Sequence, residues 1–162
     1  DMYNHRGGWY GSALPGPHSQ EGFVVRARRN ISAGEQIYTT YVDNAPDIFN
    51  NYGFVEQSPA RWYFDEPRLA GDASAKVRHH FTVWEDDNNQ VPPPRVHLPI
   101  DVDPKTFASS ARRALASVEL QDASLQTRGA VDKEPVDVQL AWAYRNAYTA
   151  ALRHAIRATE TR

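Results

Sequence analysis

The sequence predicts an α+β fold, in which a strand-rich first part gives way to a mainly α-helical region. Two observations carry this. Through the first hundred residues, β-branched and aromatic side chains gather in short runs separated by turn-forming segments. From Asp103 onward the apolar residues recur at helical spacing instead.

Taken in order, residues 6–22 hold five glycines and two prolines and read as a surface loop. Phe23-Val24-Val25-Arg26-Ala27 follows as a strand, and Asn30 to Glu35 as a turn. Ile37 to Tyr41 is a second strand, rich in β-branched and aromatic residues. A short helix is expected from Pro46 to Tyr52, with Asn44 capping its start and Gly53 ending it. Trp62-Tyr63-Phe64 is a short apolar run, and Arg68 to Lys76 reads as a loop or a frayed helix. Phe81 to Trp84 and Arg95 to Leu98 flank a polar connection stiffened by Pro92-Pro93-Pro94, and are expected to form a loose hairpin.

Asp103 followed by Pro104 is a sound helix start, and Phe107, Ala111, Leu115 and Val118 continue one face. A longer helix is expected from Pro135 to Ala158. Its apolar stripe comprises Leu140, Ala141, Tyr144, Tyr148, Ala151, Leu152, Ala155 and Ile156, with Arg145, Arg153 and Arg157 on a solvated face. Tyrosines in such a stripe are read as core or partner packing, with a ligand groove as the other reading.

Composition narrows the function. Net charge is −2 with pI near 6.3, so nothing marks a nucleic-acid partner or an anionic membrane. The absence of cysteine excludes disulfides, zinc ribbons and a cysteine nucleophile. No apolar run is long enough for a membrane span. Adjacent His79 and His80 on a strand would point to opposite faces, which argues against a metal pair.

Three segments stand out together: Asp1-Met2-Tyr3-Asn4-His5, Gly34-Glu35-Gln36-Ile37-Tyr38-Thr39-Thr40-Tyr41, and Tyr52-Gly53-Phe54. Their order and spacing resemble the closing motifs of SET-domain protein methyltransferases. The nearest likeness is to the subgroup with the Rubisco large-subunit and actin-histidine methyltransferases. The likeness covers residues 1–56, which it implies to be the C-terminal half of a β-rich SET fold with a knot-like core. Residues 57–102 become a connecting segment with a hairpin, and residues 103–162 a helical region that is a candidate for substrate binding.

The resemblance implies an S-adenosylmethionine-dependent protein-lysine methyltransferase acting on a protein substrate. It implies that Asn4 bonds the methionyl part of the cofactor, that the His5 backbone meets the adenine edge, and that Phe54 packs near the adenine. Tyr41 matches the tyrosine at the methyl-transfer channel, Tyr52 walls the target side-chain slot, and Asp1 lies near that slot. No metal is implied. The chain departs from the pattern at Arg6 and Val42, and the family's early Gly-x-Gly cofactor strand is expected upstream of Asp1. Asp1 therefore reads as a cut, and the fragment alone is not expected to be active. Methylation of histidine, and a non-catalytic SET-derived binding module, are the alternatives.

Overall fold

A computed structural model describes residues 4–5, 11–19, 22–42, 44–55, 60–67, 76–84, 95–99, 101–125 and 134–161. Asp1, Arg6, Pro92-Pro93-Pro94 and residues 68–75 of the loop or frayed helix expected over Arg68 to Lys76 lie outside the described residues, while Lys76 itself begins a strand. The fold is α+β. The chain forms two compact units, Asp1–Asp43 and Asn44–Arg162.

The first unit is built from strands. β1 (Asn4–His5) runs parallel to β4 (Tyr38–Thr39), with Asn4 opposite Tyr38 and His5 opposite Thr39. β2 (Ala13–Ser19) and β3 (Gly22–Ala27) form an antiparallel hairpin. The loop expected over 6–22 is thus partly a strand. Two prolines are tolerated there because the ribbon has only two strands, and its register shifts between Pro15 and His18. Gly16 and Pro17 fall in that irregularity, where a missing N–H breaks no ladder bond. Ser12 ties the hairpin to β4: its N–H donates to the Tyr38 carbonyl at 2.9 Å, while its hydroxyl accepts from the Tyr38 N–H at 2.8 Å.

The strand expected over 37–41 is reduced to two residues. Beyond Thr39 the chain leaves the ladder, and the Tyr41 N–H donates to the His5 Nδ1 at 3.1 Å instead of to a neighbouring strand. The turn before it forms as expected. Gly34 takes a left-handed φ of 81°, and Glu35 accepts from the Ser32 N–H and pairs with Arg29.

The second unit opens with α1 (Ala45–Tyr52). Asn44 caps it by accepting from the Asp47 N–H at 2.9 Å, and Gly53 closes it at φ 72°. Three antiparallel strands follow, in the order β5 (Ala60–Pro67), β6 (Lys76–Trp84), β7 (Arg95–His97). The expected hairpin of 81–84 with 95–98 is present as β6 and β7, but β6 starts earlier and pairs along its other edge with β5. Alternation puts Ala60, Trp62, Phe64, Phe81 and Val83 on one buried face.

Two helices, α2 (Pro104–Leu125) and α3 (Val136–Glu160), cover that face. Asp103 starts α2 by accepting from the Thr106 N–H at 2.8 Å. The polar links Arg112–Glu160, Arg153–Glu119 and Arg145–Asp122 run in opposite order along the two helices, so they are antiparallel. Phe107, Ala111, Ala151, Leu152 and Ala155 join the sheet's core face. Edge-to-face contacts of Phe107 with Phe64 and Phe81, at 5.5 and 5.8 Å, knit the layers together.

The expected α3 stripe is buried only in its C-terminal half, where the helix meets β6 and β7. Leu140 and Ala141 are exposed, because that end of the helix runs past the part of the sheet that could cover it. Arg145 is also not on an open face. Its side chain is only 26% exposed and is held against α2 by Asp122, the Val118 carbonyl and Gln121.

Candidate functional site

Two places concentrate groups capable of chemistry, one in each unit. In the first unit, pairing of β1 with β4 brings the Asn4-His5 segment beside residues 38–41, more than thirty positions away in sequence. Asn4 is exposed, whereas His5 and Tyr41 are half-buried. The His5 and Tyr41 rings lie 5.2 Å apart at a tilted angle. Because His5 Nδ1 accepts from a backbone N–H, a neutral His5 carries its proton on Nε2. The imidazole therefore fixes where the chain turns away after Thr39, and with it the start of the Tyr41 side chain. Beside it, the Thr39 hydroxyl is buried and has no hydrogen-bond partner among the described residues.

Tyr38 is held differently. Its hydroxyl donates to Gln36 Oε1 at 2.9 Å, and both of its backbone groups meet Ser12. Ser12, fully buried, is the positioning residue in this unit that motif reading missed; a small polar residue after a glycine carries no distinctive sequence signal.

Tyr52 and Phe54 belong to the second unit, on either side of the Gly53 helix stop. Tyr52 is 48% exposed and Phe54 half-buried, and their rings are 6.4 Å apart. The left-handed Gly53 turns the chain sharply enough to bring the two rings together.

The second place is a cleft of about 1070 Å³ wholly within the second unit. Phe49 of α1, Tyr63 of β5, and Trp142, Tyr144 and Tyr148 of α3 line it. Phe49 stacks on Tyr144 at 4.3 Å, and Tyr144 runs nearly parallel to Tyr148 at 6.3 Å. The stripe tyrosines pack on the core, against Trp62, and also wall the cleft. Burial pushes the Tyr144 phenol up to about 12 and Tyr148 higher still, so both stay neutral donors near neutral pH. Tyr63 is raised by burial and by nearby Asp47, to which its hydroxyl donates at 3.4 Å.

His79 and His80 do face opposite ways. His79 stacks on Phe64 at 4.9 Å and meets Glu66, while His80 lies edge-on to Tyr63 at 5.8 Å. Glu66 is the hub of a compact polar cluster, accepting from Ser110 at 2.6 Å and pairing with Arg113 and His79. Among the described residues no group of acids and histidines is arranged to hold a metal ion, and no helix is long and apolar enough to cross a membrane.

Comparison with family models, with curated proteins and with solved structures found no match.

Proposed function

We propose that this chain is the C-terminal part of a SET-domain protein-lysine methyltransferase using S-adenosylmethionine, with a knot-like core completed by residues outside it. The observation that carries the reading is the parallel pairing of Asn4-His5 with Tyr38-Thr39, together with the bond from the Tyr41 N–H to His5. The resemblance expects these two segments to thread together, and their pairing supports the reading.

The residues here fit such a cofactor. Asn4 offers an exposed carboxamide, the buried Thr39 hydroxyl has hydrogen-bonding capacity to spare, and Tyr41 lies alongside. Asn4 and the His5 backbone would hold the methionyl and adenine ends. The cofactor supplies a methyl group on a sulfonium, and transfer is an in-line displacement in which most catalysis is alignment. The Tyr41 hydroxyl would orient the neutral amine and accept weak bonds from the polarised methyl. Aromatic walls keep water away from the cationic centre.

Tyr41→Phe in the intact protein tests this. Turnover should fall with kcat/KM while cofactor affinity stays unchanged, as for a contact made in the transition state. Undiminished turnover would remove Tyr41 from the mechanism. Asn4→Ala should in turn weaken cofactor binding by about 1–3 kcal/mol.

A second reading, a SET-derived module that binds a protein without catalysis, is favoured by one observation. The large aromatic cleft belongs to the second unit and uses none of the motif residues. Cofactor binding by the intact protein separates the two readings.

A further inference from the structure

We infer that the cleft of the second unit is a docking site for a lysine- or arginine-bearing segment of a protein partner. The inference goes beyond methyl transfer and stands whether or not the first unit binds a cofactor.

Size comes first. At about 1070 Å³ the cleft stands at the top of the ~300–1,000 Å³ range of ligand sites, so a single side chain would leave most of it wet. A stretch of polypeptide would fill it.

Surface chemistry selects the kind of stretch. The walls present the rings of Phe49, Tyr63, Trp142, Tyr144 and Tyr148. Aromatic faces attract cations and accept the apolar stems of lysine and arginine. The same preference is already used once within the unit, where the Arg78 guanidinium lies 4.0 Å over the Tyr63 ring.

Charge points the same way. Among the described residues, four ionised groups line the cleft: Asp65, Glu134, Asp137 and Arg145. Asp65 is matched by Arg78, and Arg145 by Asp122, so these two add little net field. Glu134 and Asp137 have no ion pair among the described residues, and the described lining is net negative. Asp137 lies in the first turn of α3, where the helix dipole favours an acid, but Glu134 precedes the helix and has no such role. The hydroxyls of Tyr144 and Tyr148 enter no hydrogen bond among the described residues, and as neutral phenols they can accept from an ammonium or a peptide N–H. Aromatic floor, neutral hydroxyls and unmatched carboxylates together describe a receptor for a basic peptide.

The test uses the full chain and calorimetric titration with three probes: a peptide of alternating lysine and glycine, the same peptide with glutamine for lysine, and choline. The lysine peptide should bind, the glutamine peptide should not, and affinity should fall as salt screens the charges. Glu134→Gln combined with Asp137→Asn should weaken the lysine peptide about fivefold, the scale of two partly exposed charge contacts. Ala141→Lys puts a cation on an exposed position lining the cleft and should weaken it at least as much. Both variants alter surface positions, and unchanged helical circular dichroism checks that each is folded. Equal binding of the lysine and glutamine peptides, or undiminished binding by both variants, overturns the proposal. Choline binding as tightly as the peptide overturns the polypeptide assignment, since the site would then be one for a small cation.

Discussion

Leu152 and Leu140 lie on the same helix, α3, and carry the same side chain, but one is fully buried and the other is 36% exposed. Truncating each to alanine isolates what burial contributes. Leu→Ala removes three carbons, worth roughly 2–2.5 kcal/mol of transfer free energy where the side chain is fully withdrawn from water. At Leu152 a cavity term adds to this. The core cluster it belongs to draws on both helices and the sheet, so its surroundings cannot all collapse inward. Leu152→Ala should therefore lose about 3–4 kcal/mol, whereas Leu140→Ala should lose less than about 1 kcal/mol. Urea unfolding followed by far-UV circular dichroism reads this directly, since the three helices among the described residues belong to the second unit and report on it. Helix propensity favours alanine slightly at both sites and so cancels in the comparison. If the two variants unfold at the same urea concentration, α3 does not pack on the sheet as described, and the cleft built on its other half loses its frame.

Other consequences are smaller but as specific. The Glu66 carboxyl is held below its ordinary range, first by the Ser110 hydroxyl and then by Arg113 and His79. Its stabilising contribution is thus present above the unfolded glutamate pKa and is lost as pH falls through the lower folded value. Ser110→Ala should cost about 1–2 kcal/mol at neutral pH and move the onset of acid unfolding upward, as measured by urea unfolding across a pH series. Gly53→Ala should destabilise by about 1–2 kcal/mol in the same assay through backbone strain alone, because a Cβ there meets no atom within 4 Å. Gly53→Asn should lose less. The Tyr144 phenol, raised to about 12, stabilises the fold fully below the ordinary tyrosine pKa of about 10, and that contribution is lost as pH rises through about 12. In alkaline absorbance titration, Tyr144→Phe should remove a late-ionising phenol while leaving the early ones unchanged.

What could be read in advance was local. Asn44, Gly53 and Asp103 act through bonds or dihedral preferences within four residues, so the starts of α1 and α2 and the end of α1 follow from sequence. β2 could not be read, because Pro15 and Pro17 signal a loop unless a two-stranded ribbon and its register shift are known beforehand. β6 was only half visible. From Lys76 to His80 it is polar, and its place at the centre of the sheet depends on a partner strand at each edge. The contact of His5 with Tyr41 required the parallel pairing of segments more than thirty residues apart, which only a family pattern could suggest.

The stripe on α3 explains why the cleft was hidden behind a correct periodicity. A repeat of apolar residues says that one face of a helix avoids water; it does not say how far along the helix a partner extends. Here the sheet and α2 cover Ala151 to Ile156, while Leu140, Ala141 and one side of Tyr144 and Tyr148 continue past that cover. Tyrosine suits such a boundary, since its ring can pack on Trp62 while its hydroxyl stays at the edge of the cleft. Leucine at both positions would satisfy the same period and would leave an apolar trough without hydrogen-bonding capacity. Arg145, between the two tyrosines in sequence, completes the arrangement by turning toward Asp122 on α2. Its charge is thereby matched within the wall, and among the described residues the net sign of the lining is left to Glu134 and Asp137. A binding surface of this kind arises where the apolar period of a helix outlasts its partner, and the residue types at that overhang decide what it accepts.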